Sequence, residues 1–240
     1  MVRVRPRSTL DYVAAMGHMN PYPLCPSSFS CEFEDREMPD SSQHVLRPIE
    51  LDPGILSTPF RVQTNWHVIA GALSCGKTTL IDQLAAQGFR TVPEGARLYL
   101  ETERARGRTT AEIRSNLAAL QHGIVDMQLR IEGELRATDV AFLDRAVPDC
   151  LAHWRVFGLN PNEILTECFR HRYASVFLLD PLPIQRDGFR PEDEAVAAFT
   201  DEWIARDYSS LGYQVVRVPV LPIQERLEFV LDRLSEQGLL

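Results

Sequence analysis

The chain has 240 residues, of which 45% are hydrophobic and 24% charged, ordinary values for a globular protein with one sizeable α/β core. Its formal net charge of -8 argues against a general nucleic-acid-binding protein, which usually carries a basic face. No apolar run approaches the roughly 18 residues of a membrane span. The five cysteines show neither a close C-x-x-C pair nor metal-ligand spacing, so we expect a reducing compartment, the cytoplasm.

The N-terminal quarter of the chain predicts an irregular extension. Half of the 16 prolines fall within the first 60 residues, and no helical or strand period is sustained there. We therefore predict two units: a proline-rich, largely irregular extension at 1–62, and a folded domain at 63–240. The extension is either a passive arm or a segment that docks a partner or regulates the domain.

Beyond residue 65, short apolar strands alternate with amphipathic helices. Strands are predicted at 65–70, 89–94, 139–145, 174–180 and 213–218. Helices are predicted at 77–87, 96–106, 109–136, 148–157, 161–170, 194–211 and 223–237. This alternation predicts parallel β-α-β units, and hence a three-layer α/β fold in which helices cover both faces of a parallel sheet.

The segment GALSCGKT at 71–78 fits the G-x-x-x-x-G-K-[ST] phosphate-binding pattern between an apolar strand and a helix. Its glycines let backbone amides point inward, and the following helix adds its positive N-terminal end. We expect Lys77 to reach the β- and γ-phosphates and Thr78 to ligate Mg²⁺. Cys75 is either a small residue that fits the loop or a redox-sensitive thiol. The candidate nucleotide-binding residues are Gly71, Ser74, Cys75, Gly76, Lys77, Thr78 and Thr79.

The nucleotide predicted for this motif is ATP, because no NKxD-type guanine-reading motif follows the fourth strand. The cofactors expected are therefore ATP and Mg²⁺, and the folded unit at 63–240 is predicted to be a P-loop ATP-binding domain.

Carboxylates and arginines follow the second and third predicted strands. Asp144 ends the third strand, where it could hold Mg²⁺ through water or accept a proton. Arg145 would grip a second substrate or form a strand-end ion pair. Glu94 could be the base that deprotonates an acceptor hydroxyl, or a solvated glutamate. Arg97 could neutralise Glu94 or touch the substrate, and Asp149 could bind substrate or cap its own helix.

A proline-bounded loop with two arginines follows the fourth strand. Arg186 and Arg190 stand four residues apart in QRDGFR, with a glycine between them. Such a loop could fold over the phosphates, exclude water and supply positive charge to the transferring group. The alternative is a charged surface loop.

With these motifs assembled, residues 65–238 resemble the P-loop ATPase/kinase-like AAA_28 family, which includes the ribosylnicotinamide kinase domain of the bacterial NAD-biosynthesis regulator. The segments that carry the resemblance are AGALSCGKTTLIDQLAAQGF, VPEGARLYLE, FLDRAVPDCLAHWRVFGL, FLLDPLPIQRDGFR and LGYQVVRVPVLPIQERLEFVL. The resemblance implies a nucleoside-kinase-like fold with strand order 2-3-1-4-5. It also implies acceptor-side roles for Glu94, Asp144 and Arg145, and lid roles for Arg186 and Arg190.

Three functions are compatible with these features. The first is a kinase that transfers the γ-phosphate of ATP to the hydroxyl of a small, nucleoside-like molecule. The alternatives are an ATPase with water as the acceptor and a nucleotide-binding switch without turnover. The aspartate-arginine pair and the arginine loop favour the kinase, because a hydrolase needs no acceptor grip. Neither the acceptor nor the oligomeric state has a sequence motif.

Overall fold

Strands and helices alternate throughout the computed structural model, which describes residues 44–182 and 191–239. The strands are β1 (Val62–Gln63), β2 (Trp66–Ala70), β3 (Arg90–Val92), β4 (Ala141–Asp144), β5 (His171–Arg172), β6 (Ser175–Leu179) and β7 (Val215–Val218). The α-helices are α1 (Pro53–Leu56), α2 (Lys77–Ala86), α3 (Gly95–Ala105), α4 (Thr110–Arg114), α5 (Leu117–Gly133), α6 (Asp149–Val156), α7 (Pro191–Ser210) and α8 (Ile223–Glu236).

The central sheet has five strands in the order β3-β4-β2-β6-β7, and every neighbouring pair is parallel. The predicted parallel sheet and its order 2-3-1-4-5 are confirmed. β2 lies at the centre and all of its residues are buried, as a continuous apolar strand requires in a sheet covered on both faces. Because parallel strands run in one direction, the loops after β2, β3, β4 and β6 open at the same edge of the sheet.

Helices cover both faces of this sheet, so the predicted three-layer α/β class is confirmed. On one face α2 and α8 pack over the sheet residues Ile69, Phe142 and Phe177. The two helices contribute Leu80 and Val230 to this hydrophobic cluster. On the other face α3, α5, α6 and α7 cover the alternate residues of the same strands. No helix in the described part of the chain is long and apolar enough to cross a membrane.

The single helix predicted at 109–136 is wrong, because the segment forms two helices, α4 and α5. Asn116 interrupts it: its side-chain Oδ1 accepts the Ala119 backbone N–H at 3.0 Å and caps a new helix. The predicted capping box of Thr109 and Glu112 is confirmed at the start of α4. The apolar period continues across the break, so only the competition of the asparagine side chain with the helix backbone could have located it.

The short helix predicted at 161–170 is not one continuous helix. Two short 3-10 helices, Pro161–Glu163 and Leu165–Phe169, take its place. The Asn160 side chain accepts the Asn162 N–H at 3.1 Å and starts the first of them. Tight segments of this length are common as connectors, and this pair leads the chain from α6 into β5.

Residues 44–62, part of the predicted N-terminal extension, pack against the sheet domain. The backbone N–H groups of Val45 and Arg47 donate to carbonyls of α6 at 2.9 and 3.0 Å. β1 pairs with β5 in a separate parallel sheet, and Leu51 is buried in the core. The boundary at residue 62 stays a prediction, and residues 1–43 lie outside the described part of the chain.

Candidate functional site

The loop between β2 and α2, residues 71–76 and here called the glycine loop, has a backbone conformation that glycine permits. Gly71 has φ 146°, Gly76 has φ 90°, and Ser74 also lies in the left-handed region at φ 59°. A Cβ on Gly71 would stand 2.6 Å from Cys75 Sγ and 3.1 Å from Leu179 O. Glycine is therefore required where the loop turns against the end of β6.

Helix α2 begins directly after the glycine loop. Its N-terminus lies at the edge of the sheet where the loops after β2, β3, β4 and β6 open. Its N-cap is Gly76, and no side chain of the described residues caps the N–H groups of its first turn. Uncapped N–H groups and the helix dipole together favour a bound anion. The loop and the helix terminus therefore fit a phosphate group.

Lys77, the first residue of α2, brings the ammonium group to this loop. Of the 25 lysine and arginine residues in the chain, only Lys77 is a lysine. Its Nζ is buried and donates to Ala72 O at 2.6 Å, with Cys75 Sγ at 3.5 Å. Burial lowers the pKa of Lys77, and the nearby Arg145 charge lowers it further. A buried ammonium in this state would be stabilised by an anion.

Thr78 and Asp144 meet at the junction of β2, β4 and α2. Asp144 ends β4 beside Ile69 of β2, and its Oδ2 accepts the Thr78 hydroxyl at 3.2 Å. Asp144 Oδ1 is buried and has no hydrogen-bond partner among the described residues. Burial and the Glu94 charge raise the pKa of Asp144 to about 6. A hydroxyl and a carboxylate with a spare oxygen are hard oxygen ligands, so this pair fits Mg²⁺.

No group of three or more His, Cys, Asp or Glu side chains that could hold a metal ion is found among the described residues.

Arg145 is the centre of a group here called the Arg145 cluster, which comprises Glu94, Asp144, Arg145 and Asp149. Arg145 adopts φ 70° directly after β4, and its backbone N–H donates to Ile69 O at 3.1 Å. Its Nε lies 2.8 Å from Glu94 Oε1, and its Nη1 lies 3.9 Å from Asp149 Oδ1. The left-handed backbone turns the guanidinium back across the sheet edge to meet Glu94, which follows β3.

The pKa of Glu94 reflects this pairing. Burial acts to raise the pKa of Glu94, but the charges of Arg145 and Lys77 outweigh it and leave the pKa below its ordinary value. The Glu94 side chain is still 24% exposed. Glu94 is therefore an ionised carboxylate that a second molecule can reach.

Asp149, the first residue of α6, is held by two hydrogen bonds to one oxygen. Its Oδ2 accepts the Ala146 N–H at 3.0 Å and the Tyr208 hydroxyl at 2.6 Å. Its Oδ1 is buried without a hydrogen-bond partner in the described chain, and burial raises the pKa of the carboxyl. The side chain thus fixes the turn before α6, and its predicted substrate-binding role stays a prediction.

The remaining predicted site residues divide into three groups. Ser74, Thr79 and Arg97 are exposed at the same edge of the sheet, and the Arg97 charge contributes to the lowered pKa of Glu94. Cys75 is fully buried beneath Gly71. The predicted lid residues Arg186 and Arg190 lie outside the described residues.

Three residues that sequence reasoning missed also lie at this edge. Gln128 donates to Arg145 O at 3.4 Å. His153 donates from Nδ1 to Asp149 O at 2.9 Å, and burial lowers its pKa to about 4. Arg226 donates from Nη1 to Cys75 O at 2.7 Å. Of the three, only Arg226 could have been noticed in the sequence. It is a charged residue four positions before Val230, on the apolar face of α8.

Solved structures with the same fold include two of the NadR protein. One, in complex with NR, is 22% identical, with a TM-score of 0.53 over 72% of this chain and 51% of that chain. The other, with NAD and AMP-PNP, is 20% identical, with a TM-score of 0.50 over 72% and 49%. The chain therefore spans about half the length of these NadR chains.

Thymidylate kinase from Candida albicans is 12% identical, with a TM-score of 0.51 over 73% of this chain and 93% of that one. At such identities these likenesses establish the fold, which is P-loop and kinase-like. No curated protein sequence matches the chain. A family model described as an AAA domain, AAA_28, matches residues 66–226. That is more than half of the chain, which therefore belongs to the AAA_28 family.

Proposed function

We propose that this chain is a kinase that transfers the γ-phosphate of ATP to a hydroxyl of a small, nucleoside-like molecule. The observation that carries the proposal is the 2.8 Å pair of Arg145 and Glu94 beside the glycine loop, in which Arg145 is buried and Glu94 is partly exposed to solvent. A hydrolase has only water to position, whereas a charged pair of this kind can hold an acceptor by its polar groups.

Glu94 is the residue that orients the acceptor. Its ionised carboxylate accepts a hydrogen bond from the acceptor hydroxyl and takes the proton as transfer proceeds. The low pKa makes Glu94 a weak base, which suits phosphoryl transfer, because positioning contributes more than proton abstraction in a loose transition state. Arg145 keeps Glu94 ionised and offers its remaining N–H groups to the acceptor.

Lys77, Thr78 and Asp144 act on the nucleotide side. Lys77 exchanges the Ala72 carbonyl for phosphate oxygens, and the amides of the glycine loop donate to the same group. Thr78 and Asp144 would hold Mg²⁺, which when bound neutralises phosphate charge. Arg186 and Arg190 complete the proposal as lid residues.

The comparisons support the acceptor class rather than an individual acceptor. The NadR structures are complexes with NR and with NAD and AMP-PNP, and a thymidylate kinase shares the fold. NR, NAD, AMP-PNP and thymidylate all contain a nucleoside unit, so nucleosides and ribosyl compounds are the first acceptors to test.

The test incubates the purified full chain with ATP and Mg²⁺, alone and with a panel of nucleosides and ribosyl compounds, and follows ADP. We expect ADP to form only with one acceptor class and to disappear in Asp144→Asn. Asp82→Asn is the matched control, because it makes the same charge change at an exposed position of α2. ADP formed equally without acceptor would replace the kinase by an ATPase. Tight ATP binding with no ADP under any condition would replace it by a switch.

A further inference from the structure

Arg226 is a buried cation without a carboxylate partner among the described residues. The residue is 2% exposed, and its Nη1 donates to the Cys75 carbonyl at 2.7 Å. Its Nε and Nη2 are buried and have no hydrogen-bond partner within the part of the chain that the structure describes. Arginine side chains are almost never fully buried unless they are paired, so this guanidinium needs an explanation.

The guanidinium lies against the nucleotide side of the site. Its Nη1 would stand 3.4 Å from a Cβ built on Gly76, and the exposed side chain of Leu182 lies 3.8 Å from the same point. Gly76 caps α2, whose N-terminal N–H groups favour an anion. Arg226 therefore approaches the glycine loop from α8, on the face of the sheet opposite to α6, the helix that carries Asp149.

The contrast with another buried arginine shows what is missing. Arg155 is also buried, and it donates two hydrogen bonds to the Asp207 carboxylate, at 2.6 and 2.9 Å. Burial of a charge costs several kcal/mol unless an opposite charge and hydrogen bonds offset it. At Arg155 the Asp207 carboxylate offsets the cost of burying the charge. At Arg226 the described residues provide only one neutral carbonyl, that of Cys75.

We propose that Arg226 is a phosphate-binding residue of the nucleotide site, and that its unpartnered N–H groups bind a phosphate of the bound nucleotide. The same side chain donates a hydrogen bond to Cys75 O and so holds the glycine loop in place. A bound nucleotide would therefore contact a residue of α8 directly. This inference rests on the nucleotide binding in the proposed function, and it adds a phosphate ligand that lies outside the glycine-loop motif.

The experiment compares Arg226→Gln, Arg226→Lys and wild type in binding ATP, ADP, AMP and adenosine, and it measures each melting temperature without nucleotide. We expect Arg226→Gln to bind ATP and ADP roughly 10- to 100-fold more weakly and adenosine unchanged, since a charge-assisted bond to phosphate is lost. Arg226→Lys should lose less ATP and ADP affinity than Arg226→Gln, because it keeps the positive charge but not the planar guanidinium that can donate two hydrogen bonds to one phosphate. Without nucleotide, the melting temperature of Arg226→Gln should fall by no more than about 2 °C, since the variant removes a buried unpaired charge.

Arg233→Gln is the matched control, because Arg233 is an exposed arginine of the same helix paired with Glu236, and its nucleotide affinities should equal those of the wild type. A purely structural Arg226 would give the reverse result: a lower melting temperature and unchanged ATP affinity in both Arg226 variants. An equal loss for adenosine would assign Arg226 to the base and overturn the proposal as well. If the wild-type chain binds none of the four compounds, it has no nucleotide site, and the proposed function is refuted together with this inference.

Discussion

The two halves of the candidate site are built in different ways. The nucleotide half, residues 71–79, is one continuous segment whose glycines, lysine and threonine are neighbours in the sequence. The Arg145 cluster draws its members from the ends of two strands and the start of a helix. The residues of the first half are close together because they are neighbours in the sequence. Those of the second half are close together only because β3, β4 and β2 are adjacent in the sheet. Apart from Asp144, which accepts the Thr78 hydroxyl and so belongs to both, the two halves should therefore respond separately to substitution.

The largest effect is expected from Lys77→Ala in the nucleotide half. Loss of the ammonium should slow phosphate transfer roughly 100- to 1000-fold, since it removes a charge that stabilises the transferring group. Steady-state ADP formation with the acceptor found above measures this. Unaltered transfer by Lys77→Ala would refute the assignment of the nucleotide half.

Glu94→Gln tests the other half. We expect kcat to fall roughly 100-fold, because the acceptor hydroxyl loses the carboxylate that orients it and takes its proton, while ATP affinity stays within about twofold because no contact of the glycine loop changes. Glu101→Gln, an exposed position on the same helix, is the control and should leave both quantities unchanged. A parallel loss of ATP affinity would show that the halves do not act separately.

Gly71→Ala is expected to break the nucleotide half through its backbone. The new Cβ would lie 2.6 Å from Cys75 Sγ, at a positive φ that alanine adopts poorly. We expect a loss of about 2–3 kcal/mol in the free energy of unfolding and weaker ATP binding, as measured by denaturant titration and calorimetry. Gly133→Ala is the control, since its Cβ would meet no described atom within 4 Å, and it should leave both values nearly unchanged. Equal stability of the two variants would contradict the tight turn.

A pH test addresses the strand beneath both halves. His67 of β2 is buried, and burial lowers its pKa to about 4 from the ordinary 6.5. At His67 the unfolded state therefore binds more protons than the folded state between those values, and this contribution to stability is lost as pH drops through that window, whereas Asp144 and Asp207, whose pKa values are raised to about 6 and about 7, contribute with the opposite sign. For His67 the loss between pH 7.5 and pH 5 is about 2 kcal/mol. His67→Gln should lose correspondingly less over the same range in urea titrations, with the slope that remains including the share of His153. An identical pH slope in the two proteins would exclude His67 as the source.

The site shows why some residues could be predicted and others not. Lys77 and Thr78 follow from a motif in which each position has one chemical task. Asp144 and Glu94 could be placed at one edge because parallel strands end together, although their distances could not. The partner of Arg145 was open in the sequence, because its left-handed backbone at φ 70° decides where the guanidinium points. The interruption of the predicted 109–136 helix at Asn116 was missed because one side-chain hydrogen bond outweighed an intact apolar period.

By itself the sequence determined the class of fold, the order of the sheet through its family motifs, and the loop that fits a phosphate. The fold class and the loop follow from local rules, which are apolar periods, glycine conformations and helix N-termini, whereas the strand order follows from the family resemblance. Only the tertiary structure decided that Arg145 pairs with Glu94 and that Asp149 is held by Tyr208. It also decided that Arg226, 151 positions from Cys75 along the chain, reaches the Cys75 carbonyl. These contacts join distant segments, so they are fixed by how the helices pack on the sheet and by the free energy of burying charge, which no local pattern encodes.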